Sequence, residues 1–235
     1  MAATISRSNE ARHLGTELRN YEGDHRAPGK AITKYLEECV AQKEEYRDGK
    51  YHSFGSLIGH TLPPELFPKT MIFTKGKKLY NMTDGYGKGI VTQAFKDCHK
   101  AVQPEGNQFI PVTILNKDET PHEGNFYFFW VDTVCEALNL VSGGVHAIGW
   151  YPEMDMSTAT YQIKARSPGE PSRLAVYSDR IEGLAAWQDP RMPRRIFFSD
   201  AFLARLREAK CQGWHESNYF HERPDDWLPE DDGTT

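Results

Sequence analysis

Two neighbouring apolar runs in the middle of the chain set the strongest limit on its fold. Residues 108–115 and 125–131 flank a polar connection rich in Asp, Thr, Pro, His and Gly, a pattern typical of two strands joined by a loop. The second run places apolar side chains on both faces: Phe126, Phe128 and Trp130 on one, Tyr127, Phe129 and Val131 on the other. Such a strand is usually central and covered on both sides, so we expect the core to form around it.

The first run contains Pro111, which has no N–H to give to a neighbouring strand. We therefore expect Pro111 at a bulge, at a strand start or at an edge-facing position.

Helical periodicity is clearest in residues 29–47, where Ile32, Leu36 and Cys39 belong to one apolar stripe. Similar stripes predict helices over 90–102 and 200–211, the latter with Ser199 or Asp200 as N-cap and Gly213 in a left-handed conformation after its end. Shorter strands are expected over 70–74, 79–82, 145–150, 159–164, 173–178 and 196–198, with a last short strand from Trp214. Together these elements predict a single mixed α+β domain with a largely antiparallel central sheet and flanking helices.

Polar composition divides the chain at its two ends. Residues 1–28 are expected to form a polar arm, with a short helix around residues 11–21. The folded domain is expected over 29–217. Residues 218–235 form an acidic tail that we expect to be partly disordered.

Charge and cysteine usage limit the function classes. A formal net charge of −5 argues against a nucleic-acid partner, which requires clustered Lys and Arg. No run approaches the roughly 20 apolar residues of a membrane span, and the first residues lack the apolar segment of a secretory signal. We therefore expect a cytoplasmic protein without a membrane partner. Its four cysteines, Cys39, Cys98, Cys135 and Cys211, are expected to be buried free thiols.

Patterns of catalytic chemistry are weak. Cys211, His215 and His221 offer three metal ligands where structural zinc sites use four, so we expect no metal. Cys98 and His99 are helix neighbours and point about 100° apart, which disfavours a nucleophilic dyad. Residues 83–89 are glycine-rich without a complete phosphate-loop pattern, and we expect no cofactor.

Aromatic residues in polar, loop-like contexts are more typical of a protein interface. They are Trp150, Tyr151, Trp187, Tyr219, Phe220 and Trp227.

Three sequence blocks carry a family resemblance. A helix, a Q-F-x-P-V strand and an aromatic strand leading into a segment with Val, Asp, Ala and Leu are matched by Gln108, Phe109, Pro111, Val112, Phe126–Trp130, Val131, Asp132, Val134, Ala137 and Leu138. A closing strand and helix are matched by Ile196–Phe198, Ser199, Asp200, Phe202, Leu206, Ala209 and Gly213. Over residues 70–217 the chain resembles a family, once known only as a domain of unknown function, of immunity proteins against bacterial polymorphic and type VI-secreted toxins, including a myxobacterial type.

The resemblance implies a non-enzymatic inhibitor that binds the cognate toxin domain of a secreted effector in bacterial competition. It carries no catalytic residues to transfer. For the toxin contact we single out aromatic and acidic loop residues: Trp150, Tyr151, Glu153, Asp155, Trp187, Asp225, Asp226 and Trp227. Acidic loops would complement a basic toxin cleft. Monomer and homodimer both stay open.

Two alternatives of other classes also stay open. One is a small-molecule or hydrolytic enzyme, which would place a carboxylate within hydrogen-bonding reach of His60, His99 or His146 in a pocket near residues 83–89. The other is a scaffold or regulator of the same fold.

Overall fold

The computed structural model describes residues 2–7, 17–24, 27–41, 59–76, 78–83, 89–142, 144–148, 160–163, 174–192 and 195–223. In these ranges the helices are α1 (Ala27–Ala41), α2 (Gln93–Lys100) and α3 (Asp200–Glu208), with a 3-10 turn at Pro64–Leu66. The strands are β1 (Ala2–Arg7), β2 (Glu17–Asn20), β3 (Thr70–Lys75), β4 (Met82–Thr83), β5 (Ile90–Thr92), β6 (Gln108–Leu115), β7 (Phe126–Trp130), β8 (Val145–Ile148), β9 (Thr160–Ile163), β10 (Ala175–Tyr177), β11 (Ala186–Trp187), β12 (Phe197–Phe198) and β13 (Trp214–Arg223). The chain is a single α+β domain, as its sequence predicts.

The aromatic strand β7 lies inside a six-stranded sheet with the order β2-β3-β6-β7-β5-β4. Every neighbouring pair in this sheet is antiparallel except β3 and β6. The pair β6–β7 is in register at Ile110 opposite Phe128 and at Val112 opposite Phe126. The central position of β7 and the largely antiparallel sheet are both confirmed.

The backbone nitrogen of Pro111 faces a side of β6 that has no paired strand at this residue, which is the edge-facing position among the three expected. The N–H of Thr113 donates to the carbonyl of Lys69 on the β3 side of β6. Because backbone N–H groups alternate along a strand, the nitrogen of Pro111 points the same way. Pairing with β3 begins only at Thr113, so the missing N–H breaks no ladder bond.

Helices cover the two faces of this sheet unequally. Ile32 and Leu36 of α1 pack on one face, against buried side chains of β3, β5, β6 and β7. On the other face, Phe95 of α2 makes edge-to-face contacts with Phe129 and with Phe202 of α3, at centroid distances of 5.3 and 5.2 Å. This second layer lies over β5 and β7.

A second sheet joins the two ends of the chain in the order β10-β13-β1-β12-β11. The polar-arm expectation is wrong for Ala2–Arg7, because these residues form the middle strand of that sheet. The expected boundary at 217 also differs from the structure, since β13 continues to Arg223 and pairs in parallel with β10. Backbone pairing, which polar side chains do not prevent, draws residues 2–7 and 218–223 into the fold.

Besides the α1 side and the α2–α3 side of the six-stranded sheet, the structure has a third core cluster. It contains side chains of the second sheet and of the antiparallel pair β8–β9. It gathers Leu138, Val176, Trp187, Phe197 and Phe220, all fully buried. The irregular segment 131–138 connects the sheets: the N–H of Cys135 donates to the carbonyl of Gln188, and the N–H of Gln188 to that of Thr133.

Two of the predicted helices differ from the structure, and a third agrees over its described part. Ile90–Thr92 is a strand that leads into α2, and not the first turn of a helix over 90–102. The short helix expected around residues 11–21 is also wrong in its described part, where Glu17–Asn20 is a strand. The helix predicted over 29–47 is confirmed as far as Ala41, and residues 42–47 lie outside the described chain.

The ends of α3 follow from local chemistry. Ser199 is the N-cap, and its hydroxyl accepts the N–H of Phe202 at 3.4 Å. At the other end, Lys210 adopts the left-handed conformation (φ 52°) and the N–H of Cys211 donates to Leu206, which together make a Schellman turn. Gly213 also has a positive φ, 95°, but lies three residues beyond that turn.

Candidate functional site

Most residues predicted to contact a toxin lie outside the described chain. They are Trp150, Tyr151, Glu153, Asp155, Asp225, Asp226 and Trp227, and for them the contact stays a prediction. Trp187 is described: it is fully buried and stacks on Phe197 with ring centroids 5.6 Å apart. The expectation of a surface loop at Trp187 is wrong because β11 carries it into the core, where it presents no surface to a partner. Phe220, also expected at the periphery, belongs to the same cluster.

His99 does not have the surroundings of an acid–base catalyst. It is fully buried among the rings of Phe109, Phe129 and Phe202, at centroid distances of 5.1–5.6 Å. Burial, helped by the charge of Lys100, lowers its pKa from 6.5 to about 3. Its Nε2 lies 3.1 Å from Nδ2 of Asn107, and its Nδ1 is buried without a hydrogen-bond partner. Neither ring nitrogen meets the carboxylate that the enzyme alternative requires.

Asn107 hydrogen-bonds to His99 and, at the same time, to two other segments of the fold. Its amide nitrogen donates to the carbonyl of Ala186 at 2.9 Å, and its amide oxygen accepts the N–H groups of Asp132 and Thr133 at 3.1 Å each. One side chain therefore joins α2, the end of β7 and β11. The polar cluster around His99 serves to position the two sheets.

Cys98 and Cys211 also lack nucleophilic character. The thiol of Cys211 donates a hydrogen bond to Cys98 Sγ, and Cys98 Sγ donates to the carbonyl of Arg205 at 3.6 Å. Burial raises the pKa of both thiols, that of Cys211 to about 12, so both stay protonated near neutral pH. All four cysteines are free, as predicted, but each is partly and not completely buried.

Metal ligation finds no support in the parts of the chain described. No group of three or more His, Cys, Asp and Glu side chains there is placed to hold an ion. Cys211 of the weak C-x3-H-x5-H pattern lies against Cys98, while the side chain of His215 is outside the described set. Residues 84–88 of the glycine-rich stretch are outside it as well.

The most buried ion pair among the described residues, Asp189 with Arg191, stabilises the fold. Asp189 is fully buried, and its two oxygens accept from Nε and Nη2 of Arg191 at 2.9 and 2.8 Å. Oδ2 of Asp189 also accepts the N–H of Leu138 at 2.8 Å. Burial alone would lower the pKa of Arg191, but the hydrogen bonds and charge of Asp189 raise it above its ordinary value. Every contact here is internal, so the pair fixes the 131–138 segment onto the third core.

The described surface with the character of a protein-binding site is one half of a sheet face. In β3 the α1-facing residues Met71 and Phe73 are buried, and so in β6 are Ile110, Val112 and Ile114, while the side chains on the opposite face of both strands are half-buried or exposed. We call the part of the latter surface beyond Phe109, which packs with α2, the open strip; its residues are Arg19, Thr70, Ile72, Thr74, Pro111, Thr113 and Leu115. The register confirms that they share a face, with Thr70 beside Thr113, Ile72 beside Arg19, and Pro111 beside Tyr127. In the described ranges, α2 and α3 pack on the β5–β7 side of this face and leave the strip uncovered.

A lysine stacked on an aromatic side chain borders the open strip. The ammonium of Lys96 lies 3.9 Å from the ring centroid of Tyr127 and 5.8 Å from that of Phe109. The hydroxyl of Tyr127 donates to the side-chain oxygen of Gln93, which fixes the ring. Lys100 lies 5.6 Å from Phe109 and donates to the carbonyl of Pro104 at 2.8 Å.

Sequence reasoning missed the open strip because it treated residues 108–115 as uniformly apolar. The signal is the alternation in that run, where Ile110, Val112 and Ile114 are separated by Pro111 and Thr113. Period-two alternation predicts one buried and one solvated face.

The model of the immunity protein family (Imm11) matches residues 21–218. That match also takes in α1, which the resemblance over 70–217 left outside. Comparison with curated proteins finds no match. In the described residues, no helix combines the length and apolar character needed to cross a membrane.

Proposed function

The chain belongs to the immunity protein family (Imm11), and from this premise we propose that it neutralises a cognate toxin by binding it directly. The observation that carries the proposal is the family match over residues 21–218, which takes in most of both sheets and all three helices. The work of the protein is then done by its surface and not by a reactive group.

The chemistry of the described side chains supports a binding role over turnover. His99 is kept neutral by burial, and the Cys98–Cys211 pair is kept protonated. Asp189 is fully engaged by Arg191 and Leu138. Each of these groups therefore has an internal, stabilising partner or an apolar enclosure.

The finer parts of the proposal concern the partner. We propose that the partner is the toxin domain of a secreted effector, such as one delivered by a type VI system. It would act in the cytoplasm on a substrate such as nucleic acid or NAD. The acidic and aromatic positions between 150 and 155 and between 225 and 227 are proposed contributors to its recognition.

The direct test is co-expression with the toxin domain encoded beside this gene. We expect the chain to restore growth to cells that express the toxin, and the two proteins to co-purify as a stable complex. A toxin domain from an unrelated effector is the control and should be neither bound nor neutralised. Continued toxicity, together with independent migration of the two proteins on size exclusion at micromolar concentration, would contradict the proposal.

A further inference from the structure

We propose that the toxin docks on the open strip of the six-stranded sheet, and that it presents a carboxylate-bearing surface to Lys96 beside Tyr127. This inference rests on the proposed function and deepens it by naming the docking face and the charge of the partner's contact surface.

Strand pairing on both sides holds the backbone of β3 and β6 in the open strip. Its strands β3 and β6 lie in the interior of the six-stranded order, each paired on both sides. Their other face is anchored by buried side chains, including Phe73 and Ile114. A preordered backbone lowers the entropic cost of association.

The side chains of the open strip suit a flat contact. Pro111 and Ile72 offer apolar area, while Thr70 and Thr113 add hydroxyl groups that can donate and accept. Tyr127, at the border, is held by its bond to Gln93. A fixed tyrosine next to modest apolar area resembles the central part of protein interfaces, where tyrosine is enriched.

The charge of the open strip and of its border indicates which kind of partner surface binds there. The chain has a net charge of −5, yet the one charged side chain among the described residues of the open strip, that of Arg19, is positive. Lys96 adds a second positive charge at the border, over the ring of Tyr127. This face therefore opposes the overall charge of the protein and complements an acidic surface.

The neighbouring lysine, Lys100, is affected by charges of both signs. Burial and the charge of Lys96 together lower the pKa of Lys100. The charges of Asp132 and Glu105 act on Lys100 in the opposite direction, so Lys96, over the ring of Tyr127, is the ammonium that we place opposite a partner carboxylate. The acidic loops considered from the sequence would serve a basic toxin surface; the open strip calls for an acidic one.

The experiment measures affinity for the toxin domain encoded by the adjacent gene. Lys96→Glu reverses the charge at the border, and Thr113→Glu places a carboxylate in the centre of the open strip. The control is Lys30→Glu, an exposed residue of α1 on the opposite side of the sheet, which makes the same change in net charge as Lys96→Glu. Circular dichroism and thermal melting establish that each variant is folded.

We expect Lys96→Glu and Thr113→Glu each to weaken binding by roughly tenfold or more, and to reduce protection of growth. Lys30→Glu should bind like the wild type, and Lys96→Arg should keep most of the affinity. Added salt should slow association of the wild type more than that of Lys96→Glu. If Lys96→Glu proves unfolded, Thr113→Glu decides, because Thr113 is exposed.

Failure of the inference and failure of the proposed function give different results. If the wild type binds and protects while both variants match Lys30→Glu, the open strip is an ordinary solvated sheet face and the inference is overturned. If the wild type neither binds nor protects, the proposed function fails and the docking site fails with it.

Discussion

His99 shows how strongly this fold controls single residues. Its neutral imidazole accepts a hydrogen bond from Asn107 and is enclosed by phenylalanine rings, which leaves no water to solvate a charge. The pKa of about 3 lies far below the 6.5 expected in the unfolded chain. Between these pKa values the unfolded chain binds a proton that the folded chain excludes. The contribution of His99 to the free energy of unfolding is therefore fully present above pH 6.5 and is lost as the pH falls toward 3.

Replacement of His99 with glutamine should therefore flatten the acid dependence of stability. We expect the wild-type free energy of unfolding to fall from pH 6 to pH 4 more steeply than that of His99→Gln, by up to about 1.4 kcal/mol per pH unit. Urea unfolding followed by tryptophan fluorescence at several pH values measures both slopes. Parallel slopes would show that the imidazole takes up its proton without unfolding.

Asn107 marks the limit of sequence reasoning at this scale. The chain pattern identifies it only as the residue before a strand, yet it has a positive φ of 50° and hydrogen-bonds to three separate segments. Its partners lie as far away as Ala186, and no local spacing encodes them. Networks of this kind follow from the fold and cannot be predicted before it.

At the scale of elements, the turn after α3 joins helix and sheet through Gly213. The N–H of Gln212 donates to Oδ1 of Asn81 at 2.8 Å, and its carbonyl accepts the N–H of Met82 at 3.3 Å. A Cβ on Gly213 would overlap the carbonyl oxygen of Met82 and the side chain of Tyr80. Only glycine allows both the positive φ and this close approach.

Gly213→Ala should thus destabilise the protein by about 2–5 kcal/mol, combining left-handed strain with overpacking. Gly183→Ala is the matched control, because Gly183 has a φ of 73° but nothing within 4 Å of an added Cβ. The control should lose only about 1–2 kcal/mol from backbone strain. Equal losses in chemical denaturation would mean that the turn moves aside without cost.

The same scale explains which elements the sequence could predict. Strands β6 and β7 carry strong apolar patterns, and α1 and α3 have clear helical stripes, so all four were predictable. The boundary between β5 and α2 was not, because Val91 and Phe95 are both buried in one cluster at helix-like spacing. A stripe reports which side chains face the core and not which backbone carries them.

At the scale of the whole molecule, strands from opposite ends of the chain, β1 and β13, pair within one sheet. β1 lies between β12 and β13, so the first strand completes a sheet whose other members come from the last third of the chain. Thr4 is paired on both sides, with Phe197 and with Asn218. Such pairing is invisible to local sequence patterns, and it makes the second sheet depend on residues that look dispensable.

Thr4→Pro should consequently destabilise the entire domain and not only its N-terminus. Proline removes a ladder N–H from a strand paired on both sides, a position that sheets rarely tolerate. We expect the thermal midpoint to fall by about 5 °C or more, together in far-ultraviolet circular dichroism and tryptophan fluorescence, because β12 connects this sheet to the core under α3. Thr4→Val, which keeps the N–H and favours a strand, is the control and should melt like the wild type. A local loss of signal in Thr4→Pro with an unchanged midpoint would mean that β1 is attached to a domain that folds without it.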